Sequence, residues 1–163
     1  MAKAKVISAF PCCGKSYFSS NHMDIYTIDL DSSFYSWTDH NGTKIRNPDF
    51  PDNYIQEIKR LSDNYSFIFV SSHISVRTAL SDNKIPYILV YPLNIPDCFY
   101  EWKRRCYQSH RKSLWDMLLE KSWDHLLHSC KRDIGALRHY QLQPTEYMDS
   151  VIQRESVIKN SWE

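Results

Sequence analysis

Three runs in this chain read as apolar at almost every position. They are residues 25–30 (Ile-Tyr-Thr-Ile-Asp-Leu), 67–71 (Phe-Ile-Phe-Val-Ser) and 87–91 (Tyr-Ile-Leu-Val-Tyr). A strand with one wet face alternates between apolar and polar. A strand that stays apolar along its length is covered on both faces, which is the condition of a parallel sheet between helical layers. Two further β-rich runs, 5–10 and 138–142, and helical material between all five predict an α/β fold built from right-handed βαβ units. A chain of 163 residues suits one domain. That domain is expected over residues 1–154, with 155–163 as a loosely held tail.

The intervening helices are expected over 51–62, 74–82, 96–108 and 114–131, with a last one starting at Pro144. Tyr54, Ile55, Ile58 and Leu61 share one face of the first, and Ser72 is the expected cap of the second. Phe99, Trp102 and Cys106 mark the buried face of the third. Leu118, Trp123, Leu126 and Leu127 mark that of the fourth. Two connections are longer than a plain link requires: 32–51 and 92–137. Within the first, Asn41-Gly42 predicts a tight turn between 34–37 and 43–45, hence a small hairpin. Ligands in open α/β sheets bind at the carboxyl ends of the strands, so both long segments border the expected site.

The run at 5–10 leads through Ala9-Phe10-Pro11-Cys12-Cys13-Gly14-Lys15-Ser16. This fits G-x-x-x-x-G-K-[ST] with alanine at the first glycine position. Gly14 allows consecutive N–H groups to face an anion, and Lys15 reaches β- and γ-phosphates. Ser16 ligates Mg²⁺, and the helix beginning there turns its positive end to the phosphates. Asp29 and Asp31 stand at the end of the run at 25–30 and share a face. One can position Mg²⁺ through water, while the other accepts a proton or holds a substrate hydroxyl. The run at 67–71 ends without an acid, so the metal falls to Asp29 or Asp31. Ser72, His73 and Arg77 offer hydroxyl, imidazole and guanidinium groups to a phosphate or a base edge. Lys103, Arg104, Arg105, Arg111 and Lys112 gather in the long connection. An arginine brought in there stabilises charge on a transferring phosphoryl group; Arg104 or Arg105 is the first choice, with Arg111 also a candidate.

Charge and cysteine content narrow the classes. A net charge of +1 gives no support to polyanion binding, so a nucleic-acid partner is not favoured. No apolar run approaches the roughly 20 residues of a membrane span, and no signal-peptide pattern precedes the first strand. Five cysteines, an odd count without a C-x-x-C pair, point to a reducing cytoplasm rather than a disulfide scaffold or zinc site. Cys12 and Cys13, near a helix N-terminus, are expected to have lowered thiol pKa values and to be open to alkylation.

Taken together, these residues resemble the small P-loop kinases of the nucleoside monophosphate kinase type, which are adenylate kinase-like. Within that type the resemblance is to short phage-encoded nucleotide kinases. It rests on Gly14-Lys15-Ser16, Ile28-Asp29-Leu30-Asp31-Ser32-Ser33, Arg46-Asn47-Pro48-Asp49-Phe50-Pro51, Phe69-Val70-Ser71-Ser72-His73, Val76-Arg77 and Tyr147-Met148-Asp149-Ser150-Val151-Ile152. It implies a three-layer sandwich with a five-stranded parallel sheet, an acceptor-side insert at 32–51 and a lid region at 92–137. It also implies ATP and Mg²⁺ as cofactors and a nucleotide acceptor, on a monomer or homodimer. Ala9, Pro11, Cys12, Cys13, Gly14, Lys15, Ser16 and Tyr17 then form the donor site, and Ser16 and Asp29 hold the metal. Asp31, Ser72, His73 and Arg77 face the acceptor, and Lys15, Asp31 and Arg104, Arg105 or Arg111 serve the transfer. Shikimate and gluconate kinases share the D-x-D feature. That keeps open another hydroxyl acceptor, such as a modified base in phage DNA, beside a nucleotide-binding protein without turnover.

Overall fold

A computed structural model describes residues 3–158 and Trp162. The chain opens with β1 (Lys5–Ala9), α1 (Lys15–Asn21), β2 (Thr27–Asp29) and α2 (Ser33–Ser36). It continues through β3 (Trp37–His40), β4 (Thr43–Arg46), α3 (Asp52–Leu61), β5 (Phe67–Ser71), α4 (Ile74–Asp82) and β6 (Tyr87–Pro92). Then come α5 (Pro96–Gln108), α6 (Lys112–Leu114), a π-helical turn (Trp115–Leu119), α7 (Glu120–Lys131), β7 (His139–Leu142) and α8 (Met148–Val157).

β1, β2, β5, β6 and β7 form one parallel sheet in the order β2-β5-β1-β6-β7. Two of the three continuous apolar runs, β5 and β6, flank the central β1 and are buried, whereas the run at 25–30 gives β2, an edge strand whose three residues are only half-buried. Ile7 of β1 stands opposite Phe69 of β5 and Ile88 of β6, and all three are fully buried. From β1 the chain steps outward to β2, returns to β5, then crosses β1 to reach β6 and β7. With right-handed crossovers, this reversal of direction puts helices on both faces of the sheet. The packing agrees: α1 lies against α8, and α3 lies against α4. The reversal also opens a crevice beside the carboxyl end of β1.

The segment at 92–137, expected as a lid, is packed into the body. Its three tryptophans, Trp102, Trp115 and Trp123, are all buried. Phe99 meets Trp115 and Trp123 with ring centroids 5.0 and 5.5 Å apart, and Phe10 meets Trp123 at 5.7 Å. Edge-on ring packing of this kind adds to the area already buried. Its longest exposed run is the corner between α5 and α6, residues 107–113. Among the described residues no helix is long and apolar enough to cross a membrane.

Three local expectations need correction. The hairpin pairs β3 with β4 around Asn41 (φ 55°) and Gly42 (φ 85°), and residues 34–36 lie in α2 rather than in a strand. The carboxylate of Asp31 accepts the Ser33 N–H at 2.9 Å and starts that helical turn. The hydroxyl at the head of α4 belongs to Ser71, which accepts the His73 N–H at 3.2 Å; Ser72 does not cap. The last helix begins at Met148, not Pro144. The Arg105 guanidinium draws the carbonyls of Pro144 and Glu146 toward itself, at 3.0 and 2.7 Å, and holds that stretch out of helical form.

The expected tail is also wrong at its start. Residues 155–157 belong to α8, and the side chain of Glu155 has no exposed surface. Arg138 donates two hydrogen bonds to its carboxylate, at 2.9 and 2.7 Å, and Tyr140 and Trp162 donate to it as well. Residues 159–161 and 163 lie outside the described residues. Burial pushes the Glu155 carboxyl up, but the bonds from Arg138, Tyr140 and Trp162 outweigh burial and hold it below the ordinary value of 4.5. A depressed carboxyl stabilises the fold fully above that ordinary value, and the contribution is lost as pH falls through the lower native value. Glu155→Ala is expected to cost about 3 kcal/mol in urea denaturation at neutral pH. The gap between wild type and variant should narrow in acid; a gap that stays constant down to pH 3 would contradict the assignment.

Candidate active site

The loop from β1 to α1 is held from outside. The Trp102 indole donates to the Pro11 carbonyl at 2.9 Å, and Arg105 donates to the Cys12 carbonyl at 3.1 Å. Cys12 and Gly14 both lie at positive φ, 64° and 95°. Gly14 is required twice over. A side chain there would be strained, and its Cβ would stand 3.3 Å from the Tyr147 ring and 3.4 Å from the Met148 nitrogen. The Lys15 ammonium folds back to donate to the Ala9 carbonyl at 3.3 Å. Burial lowers its pKa, with Asp29 acting in the opposite sense.

At the end of β2, Leu30 turns inward and its carbonyl accepts the buried Tyr54 hydroxyl. Alternation then leaves Asp29 and Asp31 on the other face. The Ser16 hydroxyl donates to the Asp29 carboxylate at 2.5 Å, so the loop and the second strand meet through these two side chains. Both offer hard oxygens. They suit a cation such as Mg²⁺, which takes most of its ligands from water and substrate phosphate. Among the described residues no group of three or more His, Cys, Asp or Glu forms a denser metal cluster. His73 borders the same floor. Burial first, then the charges of Lys15, Arg46 and Arg77, lower its pKa.

Two clefts open on these groups. The first, about 450 Å³, has Lys15, Asp29, Asp31, His73 and Arg111 on its polar side and Leu114, Leu118 and Leu126 on its apolar wall. The second, about 600 Å³, is lined by Gly14, Lys15, Ser16, Tyr17, Arg111 and Tyr147 among others. Lys15 and Arg111 belong to both.

The residues singled out from sequence are therefore mostly brought together, but not all as expected. Ala9, Pro11 and Ser72 line the first cleft, and Cys12 and Tyr17 the second. Cys13 turns into the core and has no exposed surface. Arg77 also lines the first cleft, but its guanidinium is already engaged. It donates to the Ser72 carbonyl at 2.8 Å, to Asp133 at 2.9 Å and to the Ser129 hydroxyl at 2.8 Å. The Arg77 and Asp133 side chains are 5% and 6% exposed, so this is a buried ion pair rather than a waiting phosphate ligand.

The three arginines of the long connection separate cleanly. Arg104 pairs with Glu101 and reaches Gln108 and Tyr147 on an exposed helix face, outside both clefts. Arg105 is sandwiched between the Trp102 and Tyr147 rings, at 3.9 and 3.8 Å, and bonds the carbonyls of Cys12, Pro144 and Glu146. Neither is free to follow a substrate. Arg111 is exposed at the α5–α6 corner, and among the described residues no hydrogen bond or ion pair engages its side chain.

Sequence reasoning assigned no site role to Arg46 or Tyr147 and placed Cys106 only on the buried face of its helix. Arg46 stacks over Trp37 at 4.2 Å beside the floor. It stood in view at the start of the Arg-Asn-Pro-Asp block. The Cys12–Cys106 contact, 94 positions apart at 3.0 Å, had no sequence signal. No protein-family model matches this chain, and no curated protein matches it.

The two adjacent thiols differ sharply. The hydrogen bond with Cys106 draws the Cys12 thiol down to about 7 against its burial, with Arg111, Ser109 and Arg105 assisting. Burial pushes the Cys13 thiol up to about 12. Iodoacetamide should therefore label Cys12 at a rate that climbs as pH passes 7, while Cys13 stays unlabelled in the folded protein. Peptide mapping after timed quenching checks this, and equal labelling of both thiols would contradict the buried placement of Cys13.

Proposed function

We propose that this protein is an ATP-dependent P-loop phosphotransferase that moves the γ-phosphoryl group to a nucleoside or deoxynucleoside monophosphate. The observation that carries the reading is the position of Lys15 and Arg111 on the shared wall of two clefts. Phosphoryl transfer is mostly positioning and charge stabilisation. It needs two substrate sites that meet at cations, with an oxygen-ligated metal beside them. The donor phosphates belong to the second cleft, at the Gly14-Lys15-Ser16 turn. The acceptor belongs to the first, with its base against Leu114, Leu118 and Leu126.

Mg²⁺, held through Ser16 and Asp29, would supply neutralisation of the donor's phosphate oxygens. Lys15 gives up the Ala9 carbonyl for the donor phosphates. Arg111 faces the charge that gathers between donor and acceptor. Asp31 orients the acceptor, and Arg105 keeps the loop in shape from behind.

A second reading, a kinase for a hydroxyl acceptor, is favoured by the engagement of Arg77, which removes the expected phosphate ligand. Asp31 would then be a general base. Asp31→Asn separates the two. With a phosphate acceptor kcat should fall little, whereas with a hydroxyl acceptor it should fall by about 100-fold or more and lose its acidic pH limb.

Lys15→Ala should abolish acceptor-dependent ADP production without changing circular dichroism. Arg111→Ala should lower turnover on the order of a thousandfold at little cost in nucleotide affinity. Arg104→Ala should be near wild type, and Arg105→Ala should instead unfold more easily. Turnover and binding are measured separately for each variant, across a panel of monophosphates and hydroxyl acceptors. An Arg111 variant with normal turnover would remove the charge-stabilising role.

A further inference from the structure

The contact between Cys12 and Cys106 joins two elements at the centre of the site. Cys106 is fully buried on α5, and Cys12 sits at positive φ in the β1–α1 loop, on the wall of the second cleft. Their sulfur atoms are 3.0 Å apart, and a disulfide bond is about 2 Å long, so closure requires a movement of about 1 Å. The two elements are already registered against each other. Trp102 and Arg105, both on α5, hold the carbonyls of Pro11 and Cys12. The remaining thiols are not competitors. Cys13, Cys98 and Cys130 are buried, and among the described residues none of them is hydrogen-bonded to another sulfur; Cys98 donates to the Leu142 carbonyl at 3.5 Å instead.

The chemistry of the pair is asymmetric. Cys12 opens to the cleft, faces the charges of Arg105 and Arg111, and is the more acidic thiol. Cys106 is enclosed, and the same sulfur contact followed by burial keeps it protonated. An accessible thiolate backed by a protected thiol is the arrangement of an attacking and a resolving cysteine.

We propose that Cys12 and Cys106 form a peroxide-reactive site that closes to a reversible disulfide between the β1–α1 loop and α5. The Cys12 thiolate attacks one oxygen of a hydroperoxide. The O–O bond breaks, the leaving oxygen takes a proton from solvent, and Cys12 becomes a sulfenic acid. The Cys106 sulfur then attacks Cys12 Sγ. The S–O bond breaks, the Cys106 proton leaves with the hydroxide as water, and the two thiols have given two electrons to the peroxide. A dithiol reductant reverses the step by exchange.

The bond would pin the loop directly to the turn that carries Arg111, whose N–H donates to the Cys106 carbonyl at 2.7 Å. If the phosphotransferase reading holds, this restraint slows turnover more than it weakens nucleotide binding. That consequence rests on the reading; the disulfide does not.

The test treats the reduced full-length chain with stoichiometric hydrogen peroxide, alkylates it and maps its peptides without reduction. The expected product links the peptides of Cys12 and Cys106, is undone by dithiothreitol, and melts roughly 5–10 °C higher than the reduced protein. In Cys106→Ala, dimedone should instead trap Cys12 as the sulfenic acid. A Cys12–Cys13 link, over-oxidised Cys12 beside a free Cys106, or five free thiols would each overturn the site. Turnover of the linked protein is expected to be about tenfold lower and restored by reductant. A linked protein with full turnover overturns the restraint. A linked protein whose reduced form shows no turnover with any acceptor overturns the phosphotransferase reading and leaves the site standing.

Discussion

One guanidinium holds the site in shape. Arg105 lies between two aromatic rings and donates to three backbone carbonyls that come from the β1–α1 loop and from the connection into α8. A planar, weakly hydrated cation that stacks on rings while its edges donate hydrogen bonds is the one side chain suited to such a place. Its burial is offset by those bonds and by Glu101 at 3.5 Å. Gly14 approaches Tyr147 closely because Arg105 has drawn that ring and the loop toward the same point. The conformation of the loop is thus set less by its own sequence than by a helix some 90 residues away.

Charge around the clefts is arranged in two layers. The lower layer is closed: Arg77 and Asp133 neutralise each other beneath the floor, with Tyr87 and Ser129 completing their hydrogen bonds. The upper layer stays open. Lys15 and Arg111 face Asp29 and Asp31 across the place where the clefts meet. Keeping the lower charges paired lets the upper ones respond to a ligand alone, since a buried uncompensated ion would otherwise dominate the local potential.

Much of this was legible in the sequence where the controlling physics is local. The unbroken apolar runs at 67–71 and 87–91 marked two buried strands, although the similar run at 25–30 became a half-buried edge strand, and Asn41-Gly42 marked the hairpin turn. The spacing of Gly14-Lys15-Ser16 and Asp29 placed on adjoining elements the two side chains that now touch. The misplaced residues are those whose partners are distant. Nothing around Arg77 announces Asp133, 56 positions on, and nothing around Arg105 announces the carbonyl of Cys12. A row of basic residues on a helix looks the same whether each ends in water, in an ion pair or between two rings. Glu155 was read as tail because it lies among the last residues of the sequence; its partner Tyr140 lies on a strand that approaches only in the folded chain.

The β3–β4 hairpin is built differently from everything around it. It forms a two-stranded sheet of its own, contributes no strand to the main sheet, and is exposed at nearly every position. Its shape is set by its own turn and by the cation–ring stack of Arg46 on Trp37, not by the core. Such a unit can be lengthened, shortened or exchanged without disturbing the buried strands. No hairpin residue lines either cleft, so a change in its length leaves the cleft walls and the central strands as they are.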